Sequence, residues 1–79
     1  MQSPDIYAKL APIFQDLFDV PELVLGPQLT AQDVDGWDSL NHIRLVLSVQ
    51  KAFGLKFSAL ETSQLKNVGE LVHLIAAKL

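Results

Sequence analysis

The chain has no cysteine. That excludes a disulfide framework and any thiolate metal site. Its two histidines, with no cysteine beside them, do not make a zinc centre. No apolar run approaches the length needed to cross a membrane. The opening stretch MQSPDIYAKLAPIF lacks the basic start and unbroken apolar run of a signal peptide, so a cytoplasmic protein is expected. Basic residues are few, and they form no dense stripe of the kind that binds nucleic acid. Acidic residues are missing from one place in particular, the segment from Ser39 to Phe53.

What remains is a chain of 79 residues with 49% hydrophobic content and a net charge of −3. That is one domain, 1–79, with a small core and little stability to spare. The apolar fraction argues against disorder. The charge is unevenly spread. Residues 1–38 hold seven acids and one base, Lys9, whereas residues 39–79 hold two acids and five bases.

Hydrophobic spacing predicts the elements. Ser3-Pro4-Asp5 reads as a helix start, with Ser3 as cap and proline in the first turn. Ile6, Leu10, Ile13, Phe14, Leu17 and Phe18 then form one buried face. Pro12 falls inside it and is expected to kink the helix. Residues 19–37 have no sustained period and are punctuated by Pro21, Gly26, Pro27 and Gly36. Within them Thr30 and Asp33 could cap a short turn, and Leu23, Leu25, Leu29 and Val34 are expected to pin the loop to the core. A second helix is predicted from Ser39 to Phe53, ended by Gly54, and a weak one around 60–66. Asn67, with Glu70 three places on, should cap a last helix whose stripe is Val68, Leu71, Val72, Ile75 and Leu79. With no strand signal, the fold class is all-α, a small four-helix bundle with a long first loop.

The most informative residues are Asp35-Gly36-Trp37-Asp38-Ser39-Leu40. They set a serine hydroxyl at the mouth of the second helix, beside backbone N–H groups without intrahelical partners. The helix dipole favours an anion there, so the position suits a phosphate. Asp and Ser are equally good as plain helix caps. His42, one turn on, invites comparison with a Ser–His pair. Its heading lies near Val49 and Phe53, which favours a packing role, and no orienting acid or oxyanion hole is evident. Asp33, Asp35 and Asp38 lack the twelfth-position glutamate of a calcium loop, so no metal is expected. Trp37 is expected to pack beside the helix start.

The motif, the Ala-Phe-Gly close of the second helix and the order of helices and loops together resemble the acyl carrier proteins, over nearly the whole chain. The resemblance implies that Ser39 carries 4′-phosphopantetheine through a phosphodiester. Its hydroxyl would attack a phosphate of coenzyme A, with catalysis supplied by a phosphopantetheinyl transferase that Asp38 helps to engage. The protein itself would be a non-catalytic carrier. It would hold acyl groups as thioesters and present them to an acyl ligase, ketosynthase or acyltransferase of fatty acid, polyketide or specialised lipid synthesis. Neither nucleic acid nor membrane is implied as a partner, and a monomer is expected. Leu40, Arg44 and Leu47 are candidate partner contacts, although Leu47 could equally be core rim. Val46 and Val49 turn toward the core, and by resemblance Thr62 and Leu65 face the same acyl pocket. The missing acids on the second helix depart from the carriers of fatty acid synthesis, which puts the usual partners in doubt. A peptidyl or aminoacyl carrier and an unmodified helical adaptor are the alternatives.

Overall fold

The computed structural model describes residues 2–79. Four α-helices and one 3₁₀ turn follow in order: α1 Ser3–Phe18, the turn Ala31–Asp33, α2 Ser39–Phe53, α3 Ala59–Ser63 and α4 Val68–Lys78. No strand occurs among the described residues. The architecture is the all-helical one that the spacing predicts.

The core is where the apolar stripes meet. Ile6, Leu10, Phe14 and Phe18 from α1 pack with Leu45 and Val49 from α2, and with Val68, Leu71, Val72 and Ile75 from α4. Val34 adds a loop residue to them. Burial of a large side chain such as Phe14, which is wholly inaccessible, contributes about 1.5–3 kcal/mol. By contrast α3 contributes no buried residue at all.

Each helix boundary has a local cause. α1 begins after Gln2, which makes no side-chain cap; Ser3, expected as the cap, is already helical. α1 runs through Pro12 as one continuous element. α2 spans the predicted residues and stops at Gly54, whose φ of 68° is left-handed and whose N–H donates to Gln50 O. α3 is shorter than expected and begins earlier. Ser58 Oγ accepts the Glu61 N–H and Glu61 Oε1 accepts the Ser58 N–H, a reciprocal cap that fixes its first residue. Asn67 Oδ1 accepts the Glu70 N–H and opens α4. Leu79, expected in the buried stripe, lies past the last helical residue and is half exposed.

The long loop is fastened rather than free. Leu29 O and Pro27 O accept the N–H groups of Val68 and Gly69, two donors in the first turn of α4. The Asp33 carboxylate accepts both the N–H and the hydroxyl of Thr30, which folds the 3₁₀ turn. Leu23, Leu25 and Leu29 pack against the core from this loop. The last stretch of the loop thus arrives at α2 with its direction set.

Candidate functional site

The site is built from Val34 onward. Val34 is buried and anchors the chain. Gly36 then turns it with a φ of 88°, a conformation other residues adopt only with strain. The Gly36 carbonyl accepts the Asp38 N–H at 2.9 Å and Asn41 Nδ2 at 2.6 Å. Asp38 is the N-cap of α2: Oδ1 accepts the Asn41 N–H at 2.8 Å, and its carbonyl accepts the His42 N–H at 2.8 Å. Ser39 is therefore the first helical residue, and it is exposed. Its N–H and that of Leu40 stand at the positive end of α2, where no helical carbonyl can reach them.

Trp37 points inward. Its ring meets Phe14 edge-on at 5.4 Å and lies 5.8 Å from Phe18. Its Nε1–H donates to His42 Nδ1 at 3.1 Å, and His42 Nε2 lies 3.0 Å from Thr62 O. His42 thus joins the loop, α2 and α3. Its helical heading toward Val49 and Phe53 did not reveal these partners. The available signal was Trp37 itself, whose half-buried N–H is best met by an acceptor.

Two clefts open on either side of His42. One, of about 390 Å³, is lined by Ala31, Trp37, Asp38, Ser39, His42, Ser63 and Leu65. The other, of about 310 Å³, is lined by His42, Ile43, Val46, Leu47, Gln50, Phe57, Ala59 and Thr62. The residues expected in a single acyl pocket are divided between them. Val46 and Thr62 line the second cleft, Leu65 lines the first, and Val49 lines neither, being wholly buried in the core. The valine at 49 shares α2's innermost heading with Leu45, whereas Val46 is turned 100° from Leu45 toward α3.

The outer face of α2 is apolar and basic. Leu40, Ile43 and Leu47 are 60%, 58% and 58% exposed, so Leu47 is surface rather than core rim. Arg44 and Lys51 are exposed on the same helix. Ile43 was not among the predicted contacts, though it lies three residues from Leu40 and four from Leu47, spacings that put it on the same side of the helix as both. Leu60 on α3 adds a fourth exposed apolar side chain. At the far side of α3, Lys78 Nζ meets Glu61 Oε2 at 3.1 Å. The Ser58 N–H, and after it this lysine, hold the Glu61 carboxyl below its ordinary range.

An exposed serine hydroxyl at a helix mouth, with a cleft beside it, has the chemistry to carry a phosphodiester-linked arm without burying its charge. No helix is long and apolar enough to cross a membrane among the described residues. The family model for the phosphopantetheine attachment site matches residues 8–75. Over its whole length of 79 residues the chain is 30% identical to an acyl carrier protein of Coprothermobacter proteolyticus, covering 96% of that protein. The solution structure of a holo acyl carrier protein from Geobacter metallireducens superposes with a TM-score of 0.85 at 40% identity, over 91% of this chain and 83% of the other. With the family model spanning most of the sequence and the same helical order recurring in a solved carrier, the chain belongs to the acyl carrier proteins.

Proposed function

We propose that Ser39 is the residue that bears 4′-phosphopantetheine, and that the two clefts flanking His42 receive the apolar end of the cargo. The observation that carries this reading is the exposed Ser39 hydroxyl at the first position of α2, directly after the Asp38 cap. When bound, the prosthetic group supplies the thiol on which acyl groups are held as thioesters. The chain supplies attachment, recognition and shelter. His42 is not placed to activate the hydroxyl, because both its nitrogens are engaged with Trp37 and Thr62. On this reading, catalysis of attachment belongs to a separate phosphopantetheinyl transferase. Asp38 spends Oδ1 on its cap and presents the rest of its carboxylate beside Ser39, where a transferase can read it.

The partners that take up the cargo meet α2. The surface formed by Leu40, Ile43, Leu47 and Arg44, with no acid on the helix, suits an enzyme with an apolar patch rimmed by acidic groups. Such an enzyme is an acyl ligase, ketosynthase or acyltransferase of a dedicated pathway. A monomeric carrier in the cytoplasm completes the reading.

Incubation with coenzyme A and a broad-specificity transferase tests the assignment. The native chain gains the mass of one phosphopantetheine, and Ser39→Ala gains none. A mass gain in the alanine variant would overturn it.

A further inference from the structure

His42 is the one side chain that lines both clefts, and its hydrogen bonds dictate its state. The indole N–H of Trp37 can only donate, so His42 Nδ1 must present a lone pair to it. The carbonyl of Thr62 can only accept, so Nε2 must carry the proton. One neutral tautomer, protonated on Nε2, satisfies both. Trp37 is itself held by Phe14 and Phe18, so the core positions the imidazole.

The other end of this chain of contacts is α3, which is five residues long and buries none of them. Its ties to the rest of the protein are few. Lys78 pairs with Glu61 at the surface, where an ion pair stabilises little. Phe57 and Leu65, on either side of α3, are only partly buried. Two hydrogen bonds come from α2: Gln50 Oε1 accepts the Phe57 N–H just before α3, and His42 Nε2 reaches Thr62 O within α3 itself. The second also stands between the two clefts: Ser39, Ser63 and Leu65 lie on one side, Ile43, Val46, Phe57 and Ala59 on the other.

We propose that His42 is a positioning residue for the cargo: its Nε2–H bond to Thr62 latches α3 against α2 and closes the passage from the cleft at Ser39 to the apolar cleft at Val46. This inference rests on Ser39 as the point of attachment. Short acyl groups stay within the first cleft and leave the latch shut. Long alkyl chains must pass His42 to reach Ile43, Val46 and Phe57, and they break the bond to Thr62 as they do so. His42 thereby sets the chain length above which the carrier shelters its cargo.

The test has two arms. In the unmodified protein, ¹⁵N spectra of the His42 ring should show the proton on Nε2 and a lone pair on Nδ1. In His42→Leu the amides of Thr62 and Leu65 should exchange about fivefold faster, the factor that corresponds to one ordinary hydrogen bond. This arm needs no loading, so it stands apart from the assignment of Ser39. In the second arm, acetyl and long saturated acyl forms are prepared of native protein, His42→Leu and His42→Gln. Long-chain loading should shift the native ¹⁵N signals while acetyl loading does not. The rise in melting temperature from acetyl to long-chain forms should be larger in His42→Leu. His42→Gln, whose amide can donate to Thr62 O, should restore the native difference. Adding Val46→Trp to His42→Leu should abolish the gain. A merely structural histidine would lower every form alike. An Nδ1–H tautomer, or the same dependence on chain length in native and leucine proteins, would overturn the proposal. Failure of any form to load would instead strike at Ser39.

Discussion

Gly69 stands against Pro27 so closely that a Cβ on it would lie 2.8 Å from the Pro27 carbonyl oxygen and 3.0 Å from its Cβ. The contact fastens the long loop to the first turn of α4, and the Gly69 N–H donates to that same oxygen. Gly69→Ala should therefore lower stability by about 1–3 kcal/mol, the range for overpacking. For a domain of this size that is roughly 4–24 °C in melting temperature. Gly26→Ala is the control, since nothing lies within 4 Å of the added carbon. It should change stability by no more than about 0.5 kcal/mol. Thermal melts of the two variants decide; equal effects would mean that the Pro27 contact is not a constraint.

The start of α2 separates structure from chemistry within two adjacent residues. Asp38 is the cap, so Asp38→Ala should cost about 1 kcal/mol. Ser39 is exposed at the first helical position and makes no cap, so Ser39→Ala should cost less than about 0.5 kcal/mol. Urea midpoints at unchanged slope measure both. A larger loss in the serine variant would reverse the roles of the two residues.

Glu61 gives α3 a dependence on acid. Its carboxyl is held below the ordinary glutamate range by the Ser58 N–H and then by Lys78. A depressed carboxylate contributes stability that is complete above its unfolded value and is lost as pH falls through the lower folded value. The contribution is small because the group is at the surface. Going from about pH 7 to about pH 3, the native protein should lose more stability than Glu61→Gln does. Denaturant midpoints at the two pH values test this, and parallel losses would rule Glu61 out as the cause.

Most of the fold could be read in the sequence because its causes are local. The stripe from Ile6 to Phe18, the Gly54 stop and the Asn67 cap each follow from a period or a single residue type. The extent of α3 was less legible, since a reciprocal Ser58–Glu61 cap outweighs its weak apolar pattern. At the site, Asp38 and Ser39 announce themselves through their order before an apolar helix. The role of His42 does not, because its partners are five and twenty residues away. The division of Val46, Leu65 and Val49 among two clefts and the core likewise depends on how α3 crosses α2, which no spacing encodes.

The basic, apolar face of α2 makes partner choice testable. Arg44→Glu should slow association with the native partner and steepen the loss if that partner presents acids. It should also speed encounter with carrier-dependent enzymes that bear basic patches. Association rates at low and high salt measure the effect, which should fade as salt screens it. Faster turnover by the native partner in the variant would contradict an acidic docking surface.

Fragment mass spectrometry of the protein after reaction with coenzyme A and a transferase tests the attachment site most directly. The phosphopantetheine mass should fall on the fragment ions that contain Ser39, and on none that contain only Ser3, Ser48, Ser58 or Ser63. Loss of the arm on fragmentation should leave its signature at residue 39. The same mass located on any of the other serines would contradict the assignment of α2's first residue as the bearer of the cargo arm.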